Sequence, residues 1–192
     1  MSGKHMVQIW MIVMAVTSAA WAQDIVYSLH FNDGLPNNWI AGQLTSEGLP
    51  EGSKQAVTAR VTDGKAERIA SHKEWVKGLF SISEDLYFNY RIRMTRPEWY
   101  LLFLQVKPAG PTGQSSNYIA RPTPGPANEW HVVSVPVKEF QQTGKDISNG
   151  PPPPVGEVCT SFFFDTQGRD LGITIDRIWV SKGKPVSTPP NP

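Results

Sequence analysis

Short stretches in which apolar and polar residues alternate recur along the chain, and helical periodicity is almost absent. The clearest stretch is SEDLYFNYRIRM at 83–94, where every second residue from Leu86 to Met94 is apolar or aromatic. Alternation with a period of two predicts a strand that buries one face. Further strands are predicted at 24–31, 98–108, 128–140, 158–166 and 171–183, and weaker ones at 55–61, 65–70 and 117–121.

Turn-forming residues separate these stretches, since the chain contains 17 proline and 16 glycine residues. About eight or nine short strands divided by such turns are typical of an antiparallel sandwich. We therefore predict an all-β fold, an antiparallel β-sandwich or jelly roll. The segment 98–108 is dense in apolar residues, and this predicts a strand that is buried on both faces.

The first 22 residues have the features of a secretory signal peptide. Lys4 precedes an apolar segment that is short for a membrane span, and Ala20 and Ala22 provide small residues for cleavage before Gln23. An uncleaved anchor is the alternative. We expect a secreted protein, periplasmic or extracellular, with one domain at 23–183 and a disordered proline-rich tail at 184–192.

The charge is nearly balanced, because the formal net charge at pH 7 is +1 and basic residues are scattered. This argues against a nucleic-acid partner and, once the signal is cleaved, against a membrane partner. The single cysteine, Cys159, lies among apolar residues, which predicts a buried free thiol. We expect a monomer.

No recognisable catalytic motif occurs in the sequence. It contains neither an HExxH zinc motif nor a GxSxG nucleophile elbow, and the acids do not alternate on one strand as in jelly-roll hydrolases. A catalytic triad assembled from distant residues stays open. The sequence therefore favours a non-catalytic protein, with a polysaccharide lyase or glycoside hydrolase as the enzymatic alternative.

Four segments resemble the galactose-binding-like jelly roll of carbohydrate-binding modules. They are LHFNDGLPNNW at 29–39, EWHVVSVPVKEF at 129–140, SFFFDTQG at 161–168 and ITIDRIWVSKG at 173–183. The chain is also similar to the domain of the complex I intermediate-associated protein. The resemblance implies a galactose-binding-domain-like sandwich that binds a polysaccharide or oligosaccharide.

The resemblance also implies a structural calcium ion. In such modules an acid of the last strand often joins the turn after the first strand, which here gives Asn32, Asp33 and Asp176 as ligands. Oxygen donors of this kind suit Ca²⁺, and an ion would explain a carboxylate in an apolar strand. The alternative is that Asp176 accepts hydrogen bonds from backbone amides or from Arg177 or Arg60.

Candidate sugar-binding residues combine aromatic rings with planar polar groups, which suit the apolar and hydroxyl faces of a pyranose. The polar side of 83–94 supplies Tyr87, Asn89, Arg91 and Arg93, and the next strand supplies Gln105. The region between the glycine- and proline-rich loops supplies Tyr118 and Arg121, and two tryptophans in polar settings are Trp75 and Trp99. A solvated sheet face is the alternative for each of them. We therefore predict a carbohydrate-binding protein, with a protein-interaction sandwich of the cell envelope as a third possibility.

Overall fold

The structure, a computed structural model, describes residues 24–110, 113–143, 150–185 and 188–190. The predicted signal peptide at 1–22 lies outside these described residues. Within them the chain forms fourteen strands and one 3₁₀ turn, and no helix among them is long and apolar enough to cross a membrane.

The strands are antiparallel, and seven of them have five or more residues. Their bounds are β1 (Ile25–His30), β2 (Gln43–Thr45), β3 (Ala56–Thr58), β4 (Val61–Thr62), β5 (Lys65–Ala66), β6 (Ile69–Ala70), β7 (Phe80–Ser81), β8 (Leu86–Arg93), β9 (Leu101–Lys107), β10 (Ser116–Ala120), β11 (His131–Pro136), β12 (Gln141–Gln142), β13 (Val158–Asp165) and β14 (Thr174–Lys182). The 3₁₀ turn spans Val137–Glu139. The predicted all-β antiparallel class is confirmed.

Sheet A has six strands. Five of them have the order β11-β8-β14-β3-β2, and the sixth, β1, also pairs with β14. Tyr27 of β1 lies opposite Val180 of β14, and Leu29 lies opposite Ile178. The first and last strands are therefore neighbours, as the resemblance implies. A bulge between Ile175 and Arg177 shifts the register of β14 against β8 next to Asp176.

The second six-stranded sheet, sheet B, has the order β12-β10-β9-β13-β6, with β7 paired to β13. A separate two-stranded ribbon joins β4 and β5. Strands β8 and β9 follow each other in the chain but lie in different sheets. This crossover decides which side chains share a face.

The core lies between sheets A and B. The apolar side of β8, from Leu86 to Met94, is at most 2% exposed, so the predicted orientation of this strand is confirmed. Aromatic rings from β8 meet rings from β13, with Phe88 and Phe162 centroids 5.2 Å apart and Tyr90 and Phe164 centroids 4.9 Å apart. Edge contacts of this kind stabilise aromatic cores beyond simple area burial. Cys159 is buried, as predicted.

Strand β9 differs from its prediction. Leu102, Leu104 and Val106 belong to the core, whereas Phe103 and Gln105 are only half-buried on the other side of sheet B. The prediction of burial on both faces is wrong for these two positions. Their side chains therefore remain partly accessible to solvent.

Candidate functional site

An aromatic pair marks the outward surface of sheet B. Phe103 of β9 and Phe163 of β13 are register partners, and their rings stack with centroids 4.3 Å apart and planes 11° apart. They point away from the core because their neighbours Leu102, Leu104 and Phe162 point into it. The pair forms a rigid apolar centre on this side of the sheet.

The segment after β6 continues alongside β13 and brings a tryptophan to the same surface. The amide of Ser71 donates to the carbonyl of Phe162 at 3.0 Å, and the amide of Glu74 donates to that of Thr160 at 2.9 Å. Trp75 follows and is 45% exposed. Lys73, with its Nζ 5.1 Å from the Trp75 ring centroid, connects this tryptophan to the surface above β13.

Polar side chains surround the aromatic pair. Ser161 Oγ donates to Gln105 Oε1 at 3.2 Å, and Asn117 lies across from Gln105 in the β9–β10 register. The guanidinium of Arg68 lies over the Phe163 ring, 5.3 Å from its centroid. A depression of about 180 Å³ is lined by residues of this group. We call this surface the β9–β13 face; it comprises Arg68, Lys73, Trp75, Phe103, Gln105, Asn117, Ser161 and Phe163.

Trp99 lies two residues before β9 and is 46% exposed. Its neighbour Tyr100 is buried in the core, so alternation turns Trp99 toward the same side as Phe103. The Arg169 guanidinium lies 3.9 Å from the Trp99 ring centroid and is paired with Glu98 at 2.8 Å. Trp75 and Trp99 thus lie near opposite ends of β13, which spans about 3.4 Å per residue.

Glu74 precedes Trp75, and its carboxylate accepts hydrogen bonds from the backbone of the turn that follows. Glu74 Oε1 accepts hydrogen bonds from the backbone amides of Val76 at 3.2 Å and Lys77 at 3.3 Å. These amides, that of Lys77 foremost, lower the pKa of the Glu74 carboxyl. The carboxylate therefore stabilises the turn that carries Trp75.

The predicted ligand residues of β8 lie on the outward side of sheet A, away from Gln105. The prediction of one sheet face holding Arg91, Arg93 and Gln105 is wrong, because β8 and β9 belong to different sheets. Asn89 is fully buried and donates to the Ser181 hydroxyl at 3.0 Å. Sequence periodicity placed these residues on one side of their strand correctly, but it could not show what covers that side.

Neighbouring loops engage the two arginines of β8. Arg93 Nη1 donates to the carbonyl of Gly48 at 2.9 Å, and its guanidinium lies over the Trp130 ring, 5.4 Å from the centroid. Arg91 donates to Ser53 Oγ at 3.0 Å and to the Asp176 carboxylate. Both side chains hold the 46–55 loop region against sheet A.

The remaining predicted ligand residues are dispersed. Tyr118 is 3% exposed and belongs to the core, so its predicted position beside a ligand is wrong. Tyr87 lines an apolar depression of about 750 Å³ that is walled by prolines of 151–154. Arg121 is exposed at a groove of about 560 Å³ between β10 and β11. Of the predicted set, Trp75 and Gln105 belong to the β9–β13 face, and Trp99 lies at its end.

The predicted calcium ligands have other partners in this structure. Asp176 is 1% exposed, and its Oδ1 accepts from Arg91 Nε at 2.9 Å while its Oδ2 accepts from Ser53 Oγ at 2.5 Å. Asn32 Oδ1 accepts from the amide of Lys54 at 2.8 Å, and Asp33 is exposed. The described residues contain no group of three or more His, Cys, Asp or Glu side chains that could hold a metal.

This arrangement does not fit a divalent ion at Asp176, because the Arg91 guanidinium already supplies the positive charge at hydrogen-bond distance. Calcium binding stays a prediction, and at this position it requires Arg91 to leave the carboxylate. The alternative prediction, that an arginine binds the Asp176 carboxylate, agrees with the structure. The main partner is Arg91, however, and not Arg60 or Arg177.

Six residues of the β9–β13 face were not predicted from the sequence: Arg68, Lys73, Phe103, Asn117, Ser161 and Phe163. The sequence could have predicted the two phenylalanines, because residues two apart in a strand share a face. Phe103 and Gln105 have this spacing in one strand, and Ser161 and Phe163 have it in another. Pairing those two strands would have juxtaposed two aromatic and two polar side chains. The cations came from the segment 68–75, whose place beside β13 no local pattern indicates.

The fold is similar to that of solved carbohydrate-binding modules. The family 11 module of the cellulosomal cellulase Lic26A-Cel5E of Clostridium thermocellum matches with a TM-score of 0.54 and 13% identity over 84% of this chain and 95% of the module. The family 11 module from Clostridium thermocellum in complex with a beta-1,3-1,4-mixed-linked tetrasaccharide matches with a TM-score of 0.52 and 13% identity over 82% and 95%. A family 30 carbohydrate-binding module matches with a TM-score of 0.53 and 13% identity over 85% of each chain.

At this level of identity the likeness establishes the fold, which is the predicted antiparallel β-sandwich of jelly-roll type. No protein-family model matches the chain, and no curated protein matches its sequence. The similarity to the complex I intermediate-associated protein domain stays a resemblance of short motifs.

Proposed function

We propose that the protein binds a polysaccharide or oligosaccharide through the β9–β13 face and does not cleave it. The observation that carries the proposal is the combination of the half-exposed Trp75 with the stacked pair Phe103–Phe163 and the amides beside them. An exposed aromatic ring offers apolar contact to the C–H face of a sugar, and fixed planar polar groups orient its hydroxyls.

The amide of Gln105 is well placed for this role. Ser161 donates to its Oε1, so the carboxamide orientation is fixed and its –NH₂ is the group left to a ligand. Asn117 is exposed on the adjoining strand. Two amides on a rigid sheet provide donors and acceptors for hydroxyl groups without a large ordering cost.

Two further observations support the proposal. The fold is shared with carbohydrate-binding modules, and one of them is described in complex with a mixed-linked tetrasaccharide. Two larger depressions, at Arg121 and at Tyr87, lack this combination of exposed aromatic rings and amides. The groove at Arg121 contains no Phe, Tyr or Trp among its described lining residues, and the depression at Tyr87 is mainly apolar.

Affinity electrophoresis of the protein on a panel of soluble polysaccharides tests the proposal. We expect at least one polymer to retard the protein, and Trp75→Ala to weaken that binding by about tenfold, which is about 1.4 kcal/mol. Tyr87→Ala is the matched control, because it removes another aromatic ring outside the β9–β13 face and should leave the retardation unchanged.

Three outcomes contradict the proposal. They are no retardation by any polymer, equal effects of the two substitutions, and release of new reducing or unsaturated ends during incubation. Release of such ends would instead identify the lyase or hydrolase alternative. Absence of retardation together with capture of a protein partner would favour the interaction-sandwich alternative.

Export is a separate part of the proposal. The segment 1–22 has a basic start, an apolar stretch and small residues before Gln23, which is the pattern of a cleaved signal. Intact mass measurement of the protein recovered from outside the cytoplasm should show an amino terminus at Gln23. A cell-associated protein that retains Met1 would contradict it.

A further inference from the structure

We propose that the β9–β13 face selects polysaccharides that carry carboxylate groups, the polyuronates, over neutral polymers with the same backbone. This inference rests on the proposed function and adds the chemical class of the ligand. It comes from the charges on this surface and from the direction in which neighbouring acids point.

Two cations line the depression on this face. Arg68 and Lys73 are both exposed, and the described residues that line the depression include no Asp or Glu. Neither cation takes part in the ion pairs found among the described residues, which use Arg91, Arg96, Arg169 and Arg177. The described lining of the depression therefore carries two cations and no acid, although the whole chain is nearly neutral.

Three acids lie near these two cations, in the same segment or in the adjoining strand. Glu67 precedes Arg68 and is exposed, whereas Asp165 and Glu74 accept hydrogen bonds within their own turns. Asp165 ends β13 on the same side as Phe163, and its Oδ1 accepts from the amide of Gln167 at 2.6 Å. Glu74 accepts from the amides of Val76 and Lys77. None of these three carboxylates forms an ion pair with Arg68 or Lys73 among the described residues.

Arg68 lies beside the stacked aromatic pair, where it can meet a planar anion. Its guanidinium lies over the Phe163 ring, and the Phe163 ring stacks on that of Phe103. A guanidinium above a ring keeps N–H donors available, and these donors match the two oxygens of a carboxylate. A rigid ring beneath the charge lowers the ordering cost of binding.

Lys73 provides the second charge next to the exposed tryptophan. Its ammonium lies 5.1 Å from the Trp75 ring centroid, so a sugar ring that contacts Trp75 would place its substituents near this charge. An ammonium on a flexible stem attracts an anion without fixing its orientation. Arg68 would set the geometry and Lys73 would add attraction, while Gln105 and Asn117 bind hydroxyl groups.

The experiment compares acidic polymers with their own neutral forms. Glucuronoxylan, polygalacturonate and alginate are each tested beside a sample in which the carboxyl groups have been reduced to primary alcohols, by affinity electrophoresis and calorimetry. We expect at least one acidic form to bind about tenfold more tightly than its reduced form. This preference should weaken as salt rises, because exposed charges are screened.

Three variants locate the effect. Arg68→Gln and Lys73→Gln should each weaken binding of the acidic form by about fivefold to tenfold and leave binding of the reduced form unchanged. Arg121→Gln removes the same charge at the groove between β10 and β11 and should change neither. Thermal unfolding of each variant checks that it is folded, and the exposed Lys73 serves as the second test if Arg68→Gln unfolds.

The outcomes separate this inference from the proposed function. Equal binding of acidic and reduced forms, or binding of neutral polymers alone, overturns the polyuronate preference and leaves carbohydrate binding in place. An Arg121→Gln effect as large as that of Arg68→Gln also overturns it, since net charge and not this face would then be responsible. No binding of any acidic or neutral polymer overturns both proposals.

Discussion

Arg91 Nε lies 2.9 Å from Oδ1 of Asp176, and this ion pair joins the neighbouring strands β8 and β14 on the outward side of sheet A. The Asp176 side chain is 0% exposed and that of Arg91 is 17% exposed. Ser53 adds a hydrogen bond from the loop above the sheet. An acid in an apolar strand is tolerated here because a cation and a hydroxyl satisfy both of its oxygens.

Removing Arg91 should destabilise the protein strongly. Arg91→Ala leaves the Asp176 carboxylate buried and without its cation, and we expect the free energy of unfolding to fall by about 3–5 kcal/mol. Arg96→Ala is the matched control, because Arg96 is 63% exposed and lies 3.6 Å from the Asp170 carboxylate. Its loss should cost less than about 1 kcal/mol. Urea denaturation measures both, and similar losses for the two variants would contradict the assignment.

A chelator tests the calcium prediction. Because Arg91 already neutralises Asp176, we expect the melting temperature to differ by less than about 1 °C between EDTA and millimolar calcium, since a ligand that does not bind the native state does not stabilise it. A melting temperature that falls with EDTA and recovers with calcium would support the ion implied by the resemblance. Calcium would then have to displace Arg91, or bind elsewhere.

The hydroxyl groups of Tyr90 and Tyr100 form a buried hydrogen bond of 2.6 Å inside the sandwich. Tyr90→Phe or Tyr100→Phe leaves the other hydroxyl unsatisfied, and each should cost about 1–3 kcal/mol in unfolding free energy. The double substitution should cost little more than one of them, so a double-mutant cycle should show coupling. Tyr87→Phe, outside the core, should change stability by less than about 0.5 kcal/mol. Additive losses would contradict the bond.

Alkaline pH should unfold the protein. Burial raises the pKa of Tyr27, Tyr90, Tyr100 and Cys159 in the folded state. Unfolded thiols and phenols ionise near pH 8.5 and pH 10, so above these values the unfolded chain binds fewer protons than the native one. The unfolding free energy therefore falls as pH rises, by up to about 1.4 kcal/mol per pH unit for each such group.

Urea denaturation at about pH 8 and about pH 11 measures this fall. The double variant Tyr90→Phe with Tyr100→Phe lacks two of the phenols, so its loss of stability between these pH values should be smaller than that of the unchanged protein. Equal losses would show that neither tyrosine contributes.

Local pattern predicted much of the fold because several long strands alternate, β8 most clearly. The orientation of β8 followed from its spacing, and the closeness of the first and last strands agrees with the resemblance. The tryptophans Trp75 and Trp99 were correctly suspected of exposure from their polar surroundings. Tyr118 was misjudged because its loops are polar, whereas the strand between them turns the ring inward.

The assembly of the candidate site depended on which strands are neighbours. Phe103 and Phe163 are 60 positions apart in the numbering and meet only because β9 pairs with β13. Arg68 reaches Phe163 because β6 lies on the other side of β13. A periodicity of two assigns a side chain to one of two faces, but it carries no information about the sheet to which that face belongs.

The amino-acid sequence by itself determined most of the long strands, the buried side of β8 and the sandwich class, since apolar spacing and turn residues act over a few positions. Only the tertiary structure decided that Arg91 neutralises Asp176 and that Phe103, Phe163, Arg68 and Lys73 share an open surface. These relationships join segments that are distant in the chain. They arise from strand order and the crossover between sheets, which depend on the packing of the whole core.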